Sequence, residues 1–445
     1  MFGKRGLIVK NKINAYFGIE ELGSTIKREM LAGFTTFISM AYILFVNPAI
    51  LGDAGMDKGA VFTATGLASA FGCIMMGVFA KYPIATAPAL GINAFFAYSV
   101  CIGMGVSWQT ALAGVFLAGI IFLLLTIFKL REMIIDAIPV DLKYAISAGI
   151  GLFIAFIGLR GGGIIVPNKE TFVSLGHFQG TTWIAVIGLV ATGVLMLLNV
   201  PGAIFIAMLI SAVFGVATGM IDAPTHFVSS VPSLKPTLFQ AFTHVTDINS
   251  VQLVVVVLTF LLVTFFDTAG TLIGLAQQAG FMKDNKMPRV GQALLSDSSA
   301  MVVGALLGTS PVGAYVESSA GIAVGGRSGF TAVTTGVLFI LGLFFSPLLS
   351  VVTPQVTASA LIIVGVLMAQ NMAKIEWGKL EIAIPSFLIL IGMPLTYSIS
   401  DGLALGIIMY PITMIAAKRG KEVSPLMYVL FFVFVGFLWI LNAPK

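Results

Sequence analysis

The sequence predicts an all-α polytopic membrane protein of about 14 transmembrane segments, arranged as two inverted 7-segment repeats. Three observations lead there. The 445 residues are 58% hydrophobic and only 10% charged, with a mean hydropathy of +1.04, whereas a soluble protein of this length carries roughly 25% charged residues. The apolar residues gather in runs of about 17–22, the length that crosses a bilayer core as a helix. Short motifs also recur in the same order at a spacing near 223 residues. This composition excludes a soluble multidomain enzyme.

The first half holds runs at 30–51, 60–80, 85–104, 110–129, 143–158, 183–200 and 203–220, and the second at 251–277, 291–307, 310–326, 331–351, 357–372, 380–398 and 401–417. The third and tenth are broken. Pro88 with Gly91, and Pro311 with its glycines, interrupt them, and irregular backbone at membrane depth survives only where protein or a watery cavity satisfies it. A further run, 425–441, either crosses again or lies against the bundle. The expected organisation is a cytoplasmic N-terminus (1–29), a first repeat (30–220), an extracytoplasmic connection (221–250), a second repeat (251–417) and a C-terminal basic loop with the additional apolar segment (418–445).

Basic residues set the orientation. Lys4, Arg5, Lys10, Lys12, Lys27 and Arg28 place the N-terminus in the cytoplasm. Counting crossings from there puts Lys81, Lys129, Arg131, Lys143, Lys283, Lys286, Arg289, Arg327, Lys374, Lys379, Lys418, Arg419 and Lys421 on the same side. The expected location is the cell inner (plasma) membrane, multi-pass. Residues 1–30 are basic and polar and carry no signal-peptide pattern. The net charge of +5 belongs to these cytoplasmic loops, so no nucleic acid is expected as a partner. Cys73 and Cys101 sit in apolar segments, and with His177, His226 and His244 they form no metal-ligand pattern. No metal is therefore expected.

The internal repeat pairs Thr36-Phe37 with Thr259-Phe260, Thr86-Ala-Pro88 with Thr309-Ser-Pro311, and Gly114-Val-Phe-Leu117 with Gly336-Val-Leu-Phe339. Seven crossings per half is an odd number, so the second half runs opposite to the first. Inverted repeats with paired broken helices place a ligand near the bilayer midplane. On this alignment Asn93 falls within one residue of Glu317.

Three carboxylates, Asp267, Asp297 and Glu317, lie inside the predicted segments. A charge at the membrane centre costs about 2.5–3.5 kcal/mol on insertion scales, so each needs a partner or a function. Glu317 and Asp267 are candidate ligand or proton sites, the alternative being carboxylates locked to helix-end amides. Asp297, flanked by Ser296 and Ser298, is a possible structural carboxylate. Asn93 either reads a ligand edge with its amide or caps the restarted helix. The set suits a flat heteroaromatic ligand, for which Phe95, Phe96, Phe265 and Phe266 are candidate stacking faces.

Four segments carry a resemblance: Gly33-Phe-Thr-Thr-Phe-Ile-Ser-Met-Ala-Tyr-Ile-Leu-Phe-Val-Asn-Pro48, Ala87-Pro-Ala-Leu-Gly-Ile-Asn-Ala-Phe-Phe96, Phe266-Asp-Thr-Ala-Gly-Thr271 and Tyr315-Val-Glu-Ser-Ser-Ala-Gly321. Through them the whole chain resembles the AzgA-like purine permease branch of the nucleobase–cation symporter family, of the guanine/hypoxanthine permease type. The resemblance implies a core domain of segments one to four and eight to eleven, and a gate domain of the rest. In segments three and ten it implies a short strand plus a half-helix each, with the ligand between them. It implies proton symport of hypoxanthine, guanine or adenine, with no cofactor besides the proton as coupling ion, and a homodimer through the gate. Substrate binding falls on Asn93, Asp267 and Glu317, and proton coupling on Asp267 and Glu317. The chain departs from the family at Thr264, where many relatives carry a second acid; this leaves open which purine is preferred and how many groups titrate.

Xanthine or uracil is a nearby alternative substrate. An anion exchanger or channel on the same fold is a rival of another class, and Asp267 and Glu317 argue against it by repelling an anion. The absence of HExxH, GxSxG or a Cys/His cluster argues against an enzyme.

Overall fold

The structure, a computed structural model, describes residues 11–128, 139–248, 251–282 and 287–441, and the side chains of 265–267 lie outside the described residues. So do Lys4, Arg5, Lys10, Lys129, Arg131, Lys283 and Lys286, seven of the residues used for sidedness.

Segment one is two helices, α1 (Ile26–Met40) and α2 (Ile43–Asp53), separated by Ala41 and Tyr42. Thr25 caps α1 by accepting from the Arg28 amide. This start places Arg28 and Glu29 inside the helix, earlier than the apolar run alone predicts. Segment two is α3 (Lys58–Met75), capped by Asp57 and ended by a π-helical turn, Met76–Ala80. Segment three is β1 (Thr86–Pro88) followed by α4 (Leu90–Ala94), which continues as a π-helix, Phe95–Gly103. Helix α5 (Trp108–Ile127) completes the first four segments.

Helices α6 (Val140–Gly161), α7 (Thr182–Leu197) and α8 (Ala203–Ala217) form segments five to seven. Between α6 and α7 lies an antiparallel hairpin, β2 (Ile165–Asn168) with β3 (Phe172–Leu175), where the sequence shows only a connection. A short helix, α9 (Gln240–Thr243), sits in the link between halves.

The second half repeats the order: α10 (Val251–Gln278), α11 (Val290–Leu307), then β4 (Val312–Ala314) with half-helix α12 (Ser318–Val324), then α13 (Gly329–Gly342) extended by a 3-10 stretch, Leu343–Val351. Helices α14 (Pro354–Ala369), α15 (Leu380–Thr396) and α16 (Ile399–Ala416) form segments twelve to fourteen. The extra apolar run is a helix, α17 (Pro425–Leu441), packed against α16 and α10.

Among the described residues, eight helices of at least 18 residues are apolar enough to cross a membrane. Packing sorts them into two bodies. Segments one to four and eight to eleven pack on one another, and segments five to seven and twelve to fourteen form the other group. These are the core and gate expected. Each body contains a close glycine crossing, as membrane helices use for tight van der Waals contact. A Cβ on Gly329 would stand 1.9 Å from the Gly77 carbonyl oxygen in the core, and one on Gly365 would stand 2.5 Å from that of Gly151 in the gate.

Candidate functional site

The two broken segments meet. β1 and β4 pair antiparallel, with Thr86 opposite Ala314, Ala87 opposite Gly313 and Pro88 opposite Val312. The half-helices therefore leave this three-residue ribbon from opposite ends, and their N-termini, at Ala89 and Glu317, flank it. Pro88 tolerates this position because the ribbon has two edges and no central strand. Flanking bonds lengthen the pairing: the Tyr315 amide donates to the Ala85 carbonyl at 2.9 Å, and the Ala89 amide to Pro311 at 3.0 Å. Tyr315 Oη also donates to the Pro88 carbonyl at 2.7 Å.

Glu317 is the N-cap residue of α12, yet its side chain makes no capping bond. Its carboxylate instead accepts from the Tyr42 hydroxyl, which projects from the break in segment one. Tyr42 escaped sequence reasoning. The signal was present, as a phenol inside an apolar run six residues before Pro48.

Asn93 sits one turn inside α4 and does not cap it; Ala89 holds the cap position. By cap position Glu317 matches Ala89, not Asn93, because β4 starts three residues after Thr309, the motif partner of Thr86, and two extra residues, Tyr315 and Val316, separate β4 from its half-helix cap. The motif spacing near 223 cannot register that insertion. Asn93 is fully buried. Its Oδ1 accepts from Ser310 Oγ at 2.5 Å, and the same hydroxyl faces Asn47 Oδ1 at 3.3 Å. Asn47 Nδ2 donates to Thr65 at 2.7 Å and to Thr309 at 2.8 Å. This network ties segments one, two, three and ten behind the ribbon.

Asp267 lies on α10, and its side chain is outside the described residues. Its helical neighbours are informative. Phe260, Thr264 and Thr268 recur at four-residue spacing, hence on one face, and all are buried. Phe260 packs against Phe95 and Phe96, with ring centroids 5.0 and 6.3 Å away. Phe95 and Phe96 are fully buried in that contact, so these rings are core, not an open stacking face. Phe265 and Phe266 lie outside the described side chains. Thr268 faces the ribbon: a Cβ on Gly313 would stand 3.2 Å from its hydroxyl oxygen.

Buried side-chain polar atoms are nearly always hydrogen-bonded. Asn93 Nδ2 and the hydroxyls of Thr264 and Thr268 are buried without a protein partner. They supply donors and acceptors along α4 and the α10 face.

Asp297 is buried in α11. The hydroxyls beside it are spent on structure: Ser296 donates to the Met75 and Gln292 carbonyls, and Ser298 to that of Leu294. No cluster of three or more potential metal ligands occurs among the described residues.

A further carboxylate, Glu29, was missed because it stands in the basic stretch before the first apolar run. It is 0% exposed. It accepts from the Arg327 amide at 3.0 Å, the Ser328 amide and hydroxyl at 3.1 and 2.8 Å, and the Thr331 hydroxyl at 2.6 Å. Arg327 in turn donates to the carbonyls of Ile322 and Gly326 at the end of α12. A first-repeat carboxylate therefore pins the turn that anchors the second-repeat half-helix.

Comparisons with known proteins agree with this architecture. The transmembrane domain of a cyanobacterium bicarbonate transporter, BicA, superposes with a TM-score of 0.61 at 14% identity, covering 88% of this chain and 97% of that one. SLC26A9 follows at 0.58 and 11%, covering 93% and 70%. At such identity the likeness is one of fold. In sequence, the guanine/hypoxanthine permease PbuG of Bacillus subtilis is 55% identical over 433 residues, 95% of this chain and 98% of the relative. The putative permease MJ0326 of Methanocaldococcus jannaschii is 47% identical (95% and 97% covered), and the adenine permease AdeP of Escherichia coli 42% (94% and 94%). The sequence model of the Permease family matches residues 27–405, and with these relatives it establishes that the chain is an integral membrane transporter belonging to the permease family.

Proposed function

We propose that this protein imports purine nucleobases, guanine or hypoxanthine by preference, by proton symport, with the core moving against the gate in alternating access. The observation that carries the reading is the crossing of β1 and β4, with Glu317 at one half-helix start and the Asn93 amide one turn inside the other. A purine offers ring N–H and amino donors and, in guanine and hypoxanthine, a carbonyl acceptor. Glu317 accepts from the donor edge, and Asn93 Nδ2 donates to the carbonyl. The hydroxyls of Thr264 and Thr268 complement either. Two relatives named guanine/hypoxanthine permeases, PbuG at 55% and PbuO at 46% identity, support the purine choice.

Asp267 is the proposed proton carrier, with Glu317 next. A proton carrier at membrane depth needs a carboxyl there, and that of Glu317 is already engaged by the Tyr42 hydroxyl. The protein belongs in the cell inner membrane with its N-terminus cytoplasmic, as its basic loops indicate, and pairs with a second copy through the gate.

Adenine is the second reading, favoured by AdeP at 42% and AdeQ at 40% identity. Anion exchange rests on fold likeness at 14% identity or less, and Glu317 puts a negative charge beside a half-helix start where an anion would bind. A competition uptake panel of guanine, hypoxanthine, adenine, xanthine and uracil tests the assignment. Guanine and hypoxanthine should compete best; preferential competition by adenine, or by uracil, overturns it.

A further inference from the structure

We propose that Tyr397 and Arg160 of the gate close on Tyr98, Ser99 and Asp53 of the core to form the outer gate of the transport path, and that the structure is its inward-facing state. This rests on the reading of core against gate above.

The placement comes from chain order. Asp53 ends segment one, Tyr98 and Ser99 lie in the last part of segment three, Arg160 ends segment five and Tyr397 ends segment thirteen. All stand at the membrane face opposite Glu29. Across the two bodies, Ser99 Oγ donates to the Tyr397 carbonyl at 3.4 Å and accepts from the Ile399 amide at 3.4 Å. The Tyr98 and Tyr397 rings meet edge-on at 5.8 Å. Each body braces its own half. Tyr98 Oη donates to Asp53 at 2.8 Å in the core. In the gate the Tyr397 ring packs on Phe153 and Phe156 at 5.4 and 6.1 Å, beneath the Arg160 guanidinium at 5.4 Å.

These cross-body contacts are long hydrogen bonds and ring edges, each weak singly and cooperative as a set. That is the character a reversible closure needs. Tyr397 is carried on the short turn between α15 and α16, at φ 56, so a rigid shift of the gate moves its ring as a unit. Arg160 and Tyr397 also line a pocket of about 230 Å³ beside the β2–β3 hairpin, room into which the ring can swing. At the opposite face the bonds of Glu29 stay within the core, and those joining Asn371 to Ser147 and Arg419 to Glu381 stay within the gate. Among the described residues the clasp thus joins the bodies by hydrogen bonds at one face, while at the other these bonds brace each body separately and the bodies meet through apolar packing such as Gly202 on Ile38.

Ser99→Cys with Ser398→Cys, in a Cys101→Ser background, places two thiols across the clasp. Mild oxidation in membranes should link them, read by mass spectrometry of the joined peptides. Guanine or hypoxanthine uptake should then fall at least tenfold and return with dithiothreitol. Transport at an unchanged rate by the linked protein overturns the proposal, and so does failure to link in folded, membrane-inserted protein. As a second measurement, Thr268→Cys in the same background should react at least tenfold faster with an external impermeant thiol reagent when Tyr397→Ala or Arg160→Ala is added, and stay shielded with Tyr397→Phe. Equal rates in all of these also overturn it. Linking and labelling need no substrate, so if the reduced protein takes up no purine it is the substrate assignment that fails.

Discussion

Tyr42 donates its hydroxyl hydrogen to Glu317, joining the break in segment one to the start of the segment ten half-helix across 275 positions of sequence. The bond orients the carboxylate without consuming it, since a carboxylate has about four lone-pair sites. A hydrogen bond to a charged group contributes about 1.5–3 kcal/mol, and a bound purine recovers part of that. Tyr42→Phe is therefore expected to weaken purine binding about tenfold with the fold intact. Unchanged affinity by equilibrium binding in membranes would show that Tyr42 does not prepare the site.

Glu317→Gln removes the charge and turns one acceptor into a donor. Purine affinity should fall about tenfold to a hundredfold. Wild-type affinity in a normally folded variant would dismiss Glu317 as a ligand.

Asp267→Asn should abolish accumulation driven by an imposed pH gradient while leaving some purine exchange. Proton-driven accumulation that persists in membrane vesicles moves the coupling role to Glu317 or Asp297.

Glu29→Ala strips the acceptor from four buried donor groups. A buried donor left unsatisfied costs about 1–3 kcal/mol, so the melting temperature in detergent should drop clearly. Glu29→Gln, which keeps one carbonyl acceptor, should lose less. Equal melting of Glu29→Ala and wild type would mean that the turn after α12 is held by other bonds.

Gly329→Ala drives a methyl into the Gly77 carbonyl of the neighbouring core helix. The contact is backbone against backbone, with no side chain to rotate away, so the loss exceeds the usual overpacking cost of about 1–3 kcal/mol. Little folded protein should reach the membrane, as read by fluorescence-detected chromatography. Ala at Gly193, which meets nothing within 4 Å, is the matched control.

Much of the architecture was legible because membrane insertion acts on local composition. Runs such as 110–129 and 291–307 appear as α5 (Trp108–Ile127) and α11 (Val290–Leu307) within a few residues. Helices there satisfy their own backbone and need no distant partner. The breaks at Pro88 and Pro311 were equally visible, since proline and glycine act locally, and the cost of a membrane carboxylate marked Glu317 without any structure.

Tertiary structure decided which groups meet. Nothing in the order of residues pairs Tyr42 with Glu317, Ser310 with Asn93, or Glu29 with the Arg327–Ser328 turn, because each contact joins the two repeats across more than 200 positions. The later start of β4 and the extra Tyr315 and Val316, which together match Glu317 to Ala89 instead of Asn93, became visible only through the strand register. Local chemistry thus determined that the chain crosses the membrane, where it breaks and which charges demand a role. The packing of one repeat on the other determined what each charge touches, since a hydrogen bond depends on distance in space and not on distance along the chain.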